Sequence, residues 1–191
     1  MSLLTLENGW VQPCRRVPSP NYNERPAAEV SLLVIHNISL PPRNYGGPYI
    51  EQLFTNCLNA DEHPFFAEIA HLQVSAHLLI RRDGELVQFV PFDKRAWHAG
   101  QSCYGQRVQC NDFSIGIELE GCDFEPFTSA QYEQLLEVTT LLLRHYPLLK
   151  PEHICGHEDI APGRKTDPGP YFDWQRYRQA LATRLDKGQE A

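Results

Sequence analysis

The run Ser31, Leu32, Leu33, Val34, Ile35 carries apolar residues without alternation and closes on His36 and Asn37. That is the pattern of a strand buried on both faces, and its carboxyl end delivers a histidine. Across 39–71 the pattern breaks into Pro- and Gly-rich stretches, with short helical pieces predicted around 50–56 and 64–70. An insertion of this length could wall a cleft. Segments 75–82 and 85–90 flank Asp83-Gly84, a dipeptide suited to a type I′ turn, so an antiparallel hairpin is predicted there. Along 114–120 the residues alternate, with Ile115, Ile117 and Leu119 on one face and Gly116, Glu118 and Glu120 on the other. One face should pack and the other should present carboxylates.

Thr128 with Gln131 forms a capping box, and Tyr132, Leu135, Leu136, Thr139, Leu142, Leu143 and Tyr146 then recur at helical spacing until Pro147 ends the run. Residues 153–156 read as a short strand. Asp173 can cap a last helix whose stripe is Trp174, Tyr177, Leu181 and Leu185, with a tail expected to fray over 187–191. Strands interleaved with helices, one pair of them a hairpin, predict an α/β fold: a single domain over 1–191 with a mixed central β-sheet and helices packed on it.

Composition narrows the partners more than the fold. A chain of 191 residues, 42% hydrophobic, can bury one sizeable core. A formal net charge of -7 and a pI near 5.6 argue against nucleic acid, whose binders need a concentrated basic face. The first ten residues show no basic start, apolar centre or small-residue cleavage pattern, and no apolar run approaches membrane-spanning length. Neither an export signal nor a membrane partner is expected. Six cysteines are scattered with no C-x-x-C pair, so free thiols in a reducing compartment are expected.

Eight histidines invite a metal hypothesis. His36 stands out because it ends a buried strand, and His157 and Asp167 because they share the Pro/Gly-rich loop 156–169. Two histidines and a carboxylate suit a catalytic zinc, which keeps its fourth tetrahedral position open for water. Spacing alone leaves the plainer alternative open, that His157 and Asp167 are polar turn residues. Other chemistries find no support: His157-Glu158 is not continued as H-E-x-x-H, no G-x-S-x-G elbow or phosphate-binding glycine loop is present, and no cysteine sits in a recognisable catalytic context.

Read together, the blocks at 16–20, 33–42, 63–66, 74–77, 95–100, 110–121 and 164–169 resemble the type 2 N-acetylmuramoyl-L-alanine amidases. They are most similar to the cytoplasmic branch that acts on 1,6-anhydro-muropeptides. The resemblance runs over about 9–177. It implies Zn2+ held by His36, His157 and Asp167, Glu118 as catalytic acid/base, and Lys165 assisting at the carbonyl oxygen. It further implies that Asn37, Trp97 and His98 line the substrate cleft. The implied reaction cuts the bond between the lactyl group of 1,6-anhydro-N-acetylmuramic acid and L-alanine. Such a monomeric cytoplasmic enzyme would serve wall recycling and, by clearing anhydro-muropeptides, keep a β-lactamase regulator silent. Some relatives carry arginine where this chain has Gln73 and Gln109, which leaves stem-peptide preference open. Without the resemblance, Glu118 would read as a solvent-facing carboxylate like Glu120, and Lys165 as a solvated loop cation.

Two rival functions remain on this reading. The same fold serves as a peptidoglycan recognition module that binds without cutting, against which the retained ligands, Glu118 and Lys165 all argue. An exported amidase acting on intact murein shares the chemistry, but the expected lack of a signal peptide and the long 39–71 segment favour the cytoplasmic branch.

Overall fold

The computed structural model describes residues 4–189, with side chains for 4–187. Strands β1 (Thr5–Glu7) and β2 (Trp10–Gln12) form a first hairpin, and β3 (Arg15–Arg16) then joins the main sheet. After β4 (Tyr22–Asn23) comes the buried strand β5 (Leu32–Ile38), followed by the short helices α1 (Tyr49–Phe54) and α2 (Pro64–Ile69). Strands β6 (Leu78–Ile80) and β7 (Leu86–Gln88) pair with each other, β8 (Arg95–Ala96) pairs with β4, and β9 (Cys103–Tyr104) with β10 (Arg107–Val108). The chain closes with β11 (Ser114–Glu120), α3 (Ser129–His145), β12 (Ile154–Gly156), the one-turn α4 (His157–Ile160) and α5 (Trp174–Gln189).

Six strands make the central sheet in the order β12-β5-β11-β6-β7-β3. Every neighbouring pair is parallel except β6 with β7, so the sheet is mixed, as the interleaved pattern predicts. Ile35 lies opposite Gly156 on one side and Ile117 on the other. One residue further along, His36 faces Glu118, and His157 follows Gly156. The ends of three adjacent parallel strands therefore arrive abreast, where open α/β sheets place their ligands.

Both faces of the sheet are covered, because a strand apolar at every position has no side to give to water. On one face Leu33, Ile35, Leu78, Ile80, Ile115, Ile117 and Leu119 pack against Leu135, Val138 and Leu142 of α3 and Tyr177 and Leu181 of α5. The predicted capping box starts α3: Gln131 N–H donates to Thr128 Oγ1 at 3.1 Å and Thr128 N–H to Gln131 Oε1 at 3.0 Å. Gln131 is fully buried, and its amide also donates to the carbonyls of Ile80 and Glu120, tying the cap to the strand ends. On the other face Leu79 and Val87 meet Ile50, Leu53, Phe54 and Phe66 of the 39–71 insertion, while Leu32 and Val34 meet Ala99, Cys110, Phe113 and Ile160.

Two local expectations need correction. The hairpin at Asp83-Gly84 is not type I′, which needs positive φ at both central residues. Only Gly84 has it (φ 92), and the bonds Gly84 N–H to Arg81 O and Arg81 N–H to Glu85 O, both 2.9 Å, close a three-residue loop with glycine at its left-handed position. Successive left-handed residues occur instead at Asn8-Gly9 (φ 51 and 78), between β1 and β2. Second, Glu120 does not face solvent: it is 2% exposed and accepts from Arg81 Nη1 at 3.0 Å, Gly46 N at 2.7 Å and Arg82 N at 3.1 Å. The insertion closes over the carboxylate face and needs an anchor there. Helix α5 runs to Gln189, and residues 190–191 of the tail expected to fray lie outside those described.

Arg81 also donates to Glu51 of α1 and to the Gly47 carbonyl, so one guanidinium bolts the insertion to the sheet. Arg81→Met should cost about 3–5 kcal/mol in urea unfolding, because it strands a buried carboxylate. Adding Glu120→Gln to that variant should recover part of the loss, and an unchanged midpoint in the single variant would show that the pair does not anchor the insertion.

Candidate metal centre

His36 Nδ1, His157 Nδ1 and Asp167 Oδ2 form a triangle with all three sides 3.0 Å. His36 and His157 are 1% and 3% exposed, and Asp167 closes the group from the loop that follows α4. That loop is held in place at its backbone: Glu158 N–H donates to the Asp167 carbonyl at 2.9 Å. Gly156 is obligatory at the crossing, since a Cβ there would lie 2.7 Å from Pro168 Cδ.

The His157 tautomer follows from its partner. Its Nε2 is 3.0 Å from the Ala99 carbonyl, an acceptor only, so Nε2 carries a proton and Nδ1 is the ring nitrogen turned to the triangle. Burial pushes His36 down to about 4, against the opposing pull of Asp167, so that ring is neutral near pH 7. Burial would raise the Asp167 carboxyl, but the contacts from His157 and His36 outweigh it and hold the group well below its ordinary value. Two imidazole nitrogens and a carboxylate oxygen converging on one point make a candidate cation site. A tetrahedral ion with bonds of about 2.0–2.1 Å wants donors about 3.3 Å apart, within a few tenths of an ångström of this triangle. The donor set fits a divalent transition metal.

The triangle opens on a cleft of about 340 Å³. Its polar end holds the three ligand candidates with Asn37, His98, Glu118 and Lys165, and its apolar wall includes Leu40, Leu53, Phe54, Phe65 and Ile69 from the insertion. The 39–71 segment thus walls the cleft. A larger hollow of about 620 Å³ lies elsewhere, and four of the charged residues that line it, Arg15, Glu51, Arg81 and Glu85, are paired with one another.

Glu118 is buried in that cleft, with Oε2 among the buried atoms that lack a hydrogen-bond partner. Burial, reinforced by the nearby Asp167 charge and opposed by Lys165, pushes its carboxyl well above the usual range. A carboxyl whose hold on a proton is strengthened in this way suits acid/base work. Lys165 is exposed at the cleft, on the loop that carries Asp167.

The remaining expected cleft residues differ in what they have left to offer. The Asn37 amide donates to Asp123 Oδ1 at 2.7 Å and to the Pro168 carbonyl at 3.1 Å, a structural use. Trp97 donates Nε1–H to Asn23 at 2.7 Å and still faces the cleft. His98 engages both ring nitrogens with the protein, His36 on one side and Ser114 on the other. Gln73 and Gln109 are not among the residues that line the cleft. Two contributors escaped the sequence reading. Asp123 accepts from Asn37 and, at 2.5 Å, from Thr166 Oγ1, joining the residue after one ligand to the residue before another. Asn111 Oδ1 accepts from the backbone N–H of His98 at 3.1 Å and of Ala99 at 2.8 Å. Short polar residues in loops carry no periodicity, so only the three-dimensional path reveals them.

Comparison with known proteins gives a consistent result. A family profile described as N-acetylmuramoyl-L-alanine amidase matches residues 26–170. The chain is 62% identical over 176 residues to the 1,6-anhydro-N-acetylmuramyl-L-alanine amidase AmpD of Escherichia coli K12, covering 92% of this chain and 96% of that protein. A crystal structure of a selenomethionine AmpD derivative superposes with a TM-score of 0.89 at 60% identity, covering 92% of this chain and 98% of that one. The AmpDh3 structure from Pseudomonas aeruginosa in complex with anhydromuramic pentapeptide matches with a TM-score of 0.58 at 29% identity, over 81% of this chain and 61% of that one.

The buried histidines set how the chain responds to acid. His77 is fully buried, with Nδ1 accepting from Gly116 N–H and Nε2 donating to the Lys94 carbonyl, both at 3.0 Å. Burial first, and the Arg25 charge second, lower it to about 3. The unfolded chain takes up this proton near pH 6.5 and the folded chain does not, so stability is full above about pH 6.5 and falls with acidification toward pH 3. At pH 5 His77 alone should account for about 2 kcal/mol of lost stability. Urea titrations of chelator-treated protein at pH 7.5 and 5 check this. His77→Gln should flatten the dependence by that amount, and an unaltered slope would mean that the ring already titrates in the folded state.

Proposed function

The chain belongs to the N-acetylmuramoyl-L-alanine amidase family, and from that premise we propose that it hydrolyses the bond between the lactyl group of 1,6-anhydro-N-acetylmuramic acid and L-alanine. Releasing the stem peptide from an anhydro-muropeptide serves cell-wall recycling. The carrying observation is the alignment of His157, His36 and Glu118 at the ends of three adjacent strands, with Asp167 completing the donor triangle.

We assign His36, His157 and Asp167 to a zinc ion, because two imidazoles and one carboxylate leave a tetrahedral ion one open position. When bound, such an ion supplies Lewis acidity that polarises the lactyl carbonyl and eases deprotonation of the attacking water. Glu118 takes the proton from that water and returns it to the departing alanine nitrogen, a transfer for which its raised affinity for protons suits it. Lys165 places its ammonium beside the carbonyl oxygen as negative charge develops there. Trp97 offers an aromatic face to the sugar, and the apolar wall of the insertion excludes water from the reacting centre. The proposed enzyme is a monomer acting as a single amidase domain over 1–191. No helix among the described residues is long and apolar enough to cross a membrane. A cytoplasmic place of work fits a substrate recovered from the wall.

The test is mass spectrometry of products from anhydro-muramyl tripeptide, with added zinc and after chelation, beside intact peptidoglycan. Zinc-dependent release of free tripeptide from the anhydro substrate is expected. Cleavage of intact murein would move the enzyme to the wall-lytic class, and binding without cleavage would leave a recognition module. Glu118→Gln should lower kcat by about 100-fold or more while zinc stays bound. Lys165→Ala should lower it by about 100-fold as well. Wild-type turnover in either zinc-loaded variant would overturn that role.

A further inference from the structure

We propose that His98 is a positioning residue of the metal centre, fixing the ring of His36 through Nε2 so that the Nδ1 lone pair of His36 is the one turned to the ion. The inference rests on the metal reading above and is read in metal affinity rather than turnover.

Three groups stand in a row. His36 Nε2 lies 2.9 Å from His98 Nδ1, with the two rings nearly perpendicular at 86°, and His98 Nε2 lies 3.0 Å from Ser114 Oγ. A neutral imidazole carries one proton, on one nitrogen. If His36 Nε2–H donates to His98 Nδ1, then His98 Nε2–H donates to the Ser114 hydroxyl, every nitrogen in the row is satisfied, and His36 Nδ1 is left bare. The reverse run would place a proton on His36 Nδ1, inside the donor triangle. Only the first run is compatible with an ion there: the Ser114 hydroxyl can donate or accept, so His98 is free to supply the acceptor that His36 Nε2–H needs once an ion takes the Nδ1 lone pair.

His98 is held for this task. Its ring occupies the space above Gly116 that any Cβ at that position would need. Asn111 Oδ1 fixes its backbone by accepting from both His98 N–H and Ala99 N–H. The Ala99 carbonyl in turn accepts from His157 Nε2 at 3.0 Å. Two consecutive residues therefore orient both imidazole ligands, one with a side chain and the other with a carbonyl. His98 borders the cleft, yet neither ring nitrogen is left for substrate, which shifts it from the expected substrate contact to a support of the metal.

The experiment measures zinc affinity by competition with a chromogenic chelator in the parent, His98→Phe, His98→Gln, Ser114→Ala and His36→Ala, together with the melting temperature of each metal-free protein and the KM of each loaded one. His98→Phe should weaken zinc by about 10- to 100-fold with little change in metal-free melting. His98→Gln, whose amide oxygen can accept from His36, should recover most of that loss. A KM that rises while zinc affinity stays at the parent value would overturn the proposal and make His98 a substrate contact. Equal loss in the Gln and Phe variants would also overturn it. Should the Phe variant fail to fold, Ser114→Ala carries the test: severalfold weaker zinc is expected, and parental affinity would overturn the relay. A parent that takes up no more zinc than His36→Ala would overturn the metal reading itself, and this inference with it.

Discussion

Three electron-rich atoms held 3.0 Å apart repel one another unless a proton or a metal ion stands among them, and the fold is organised to hold them there. The triangle joins segments more than a hundred residues apart in the chain. What brings them together is the parallel register of β12, β5 and β11, which sets His157 and His36 at neighbouring strand ends and Glu118 level with His36. Apolar side chains enforce that register from below. A slip of one residue on β5 would turn Leu33 and Ile35 away from α3 and α5 and swing His36 into their core.

Above the sheet the site is assembled from loops, which hydrogen bonds must hold because they have little apolar surface to bury. Asp123 joins Asn37 to Thr166 and so fixes the spacing between the strand that carries His36 and the loop that carries Lys165 and Asp167. Asn111 holds the segment whose carbonyl sets the tautomer of His157. Arg164 adds to this from the metal loop itself, donating to the carbonyls of Ala99 and Gln101 at 2.7 and 2.6 Å. Preorganisation of this kind keeps the ligands in place before any ion or substrate arrives.

Much of this was legible in the sequence where a residue type and a period coincide. An unbroken apolar run ending in histidine announced β5 and His36, and a capping box followed by helical spacing announced α3. The approximate places of the short helices and of β12 were equally readable. Two things were not. A left-handed dipeptide signal appears twice, at Asn8-Gly9 and Asp83-Gly84, and only the twist and length of the flanking strands decide which loop it makes. Alternation along β11 showed two faces but could not show that a segment inserted some seventy residues earlier folds back over the polar one, burying Glu118 and Glu120 alike. The resemblance of those blocks to the amidase family implied roles that spacing alone left undecided.

The polar face of β11 shows why the site tolerates little rearrangement. Because side chains alternate, Ser114, Gly116, Glu118 and Glu120 all point the same way, and each meets a different demand. Ser114 ends the row of rings that begins at His36, and Gly116 leaves room for His98 while donating its N–H to His77. Glu118 sits in the cleft with an unpartnered oxygen, and Glu120 holds Arg81 and the backbone of Gly46. A serine, a glycine and two buried carboxylates would be a poor choice for packing alone, since each gives up apolar contact or carries a desolvation cost. Their neighbours Ile115, Ile117 and Leu119 supply that packing on the opposite face. One strand thus divides stability and chemistry between its odd and even positions, and the period-two geometry of the strand keeps the two sets from trading places.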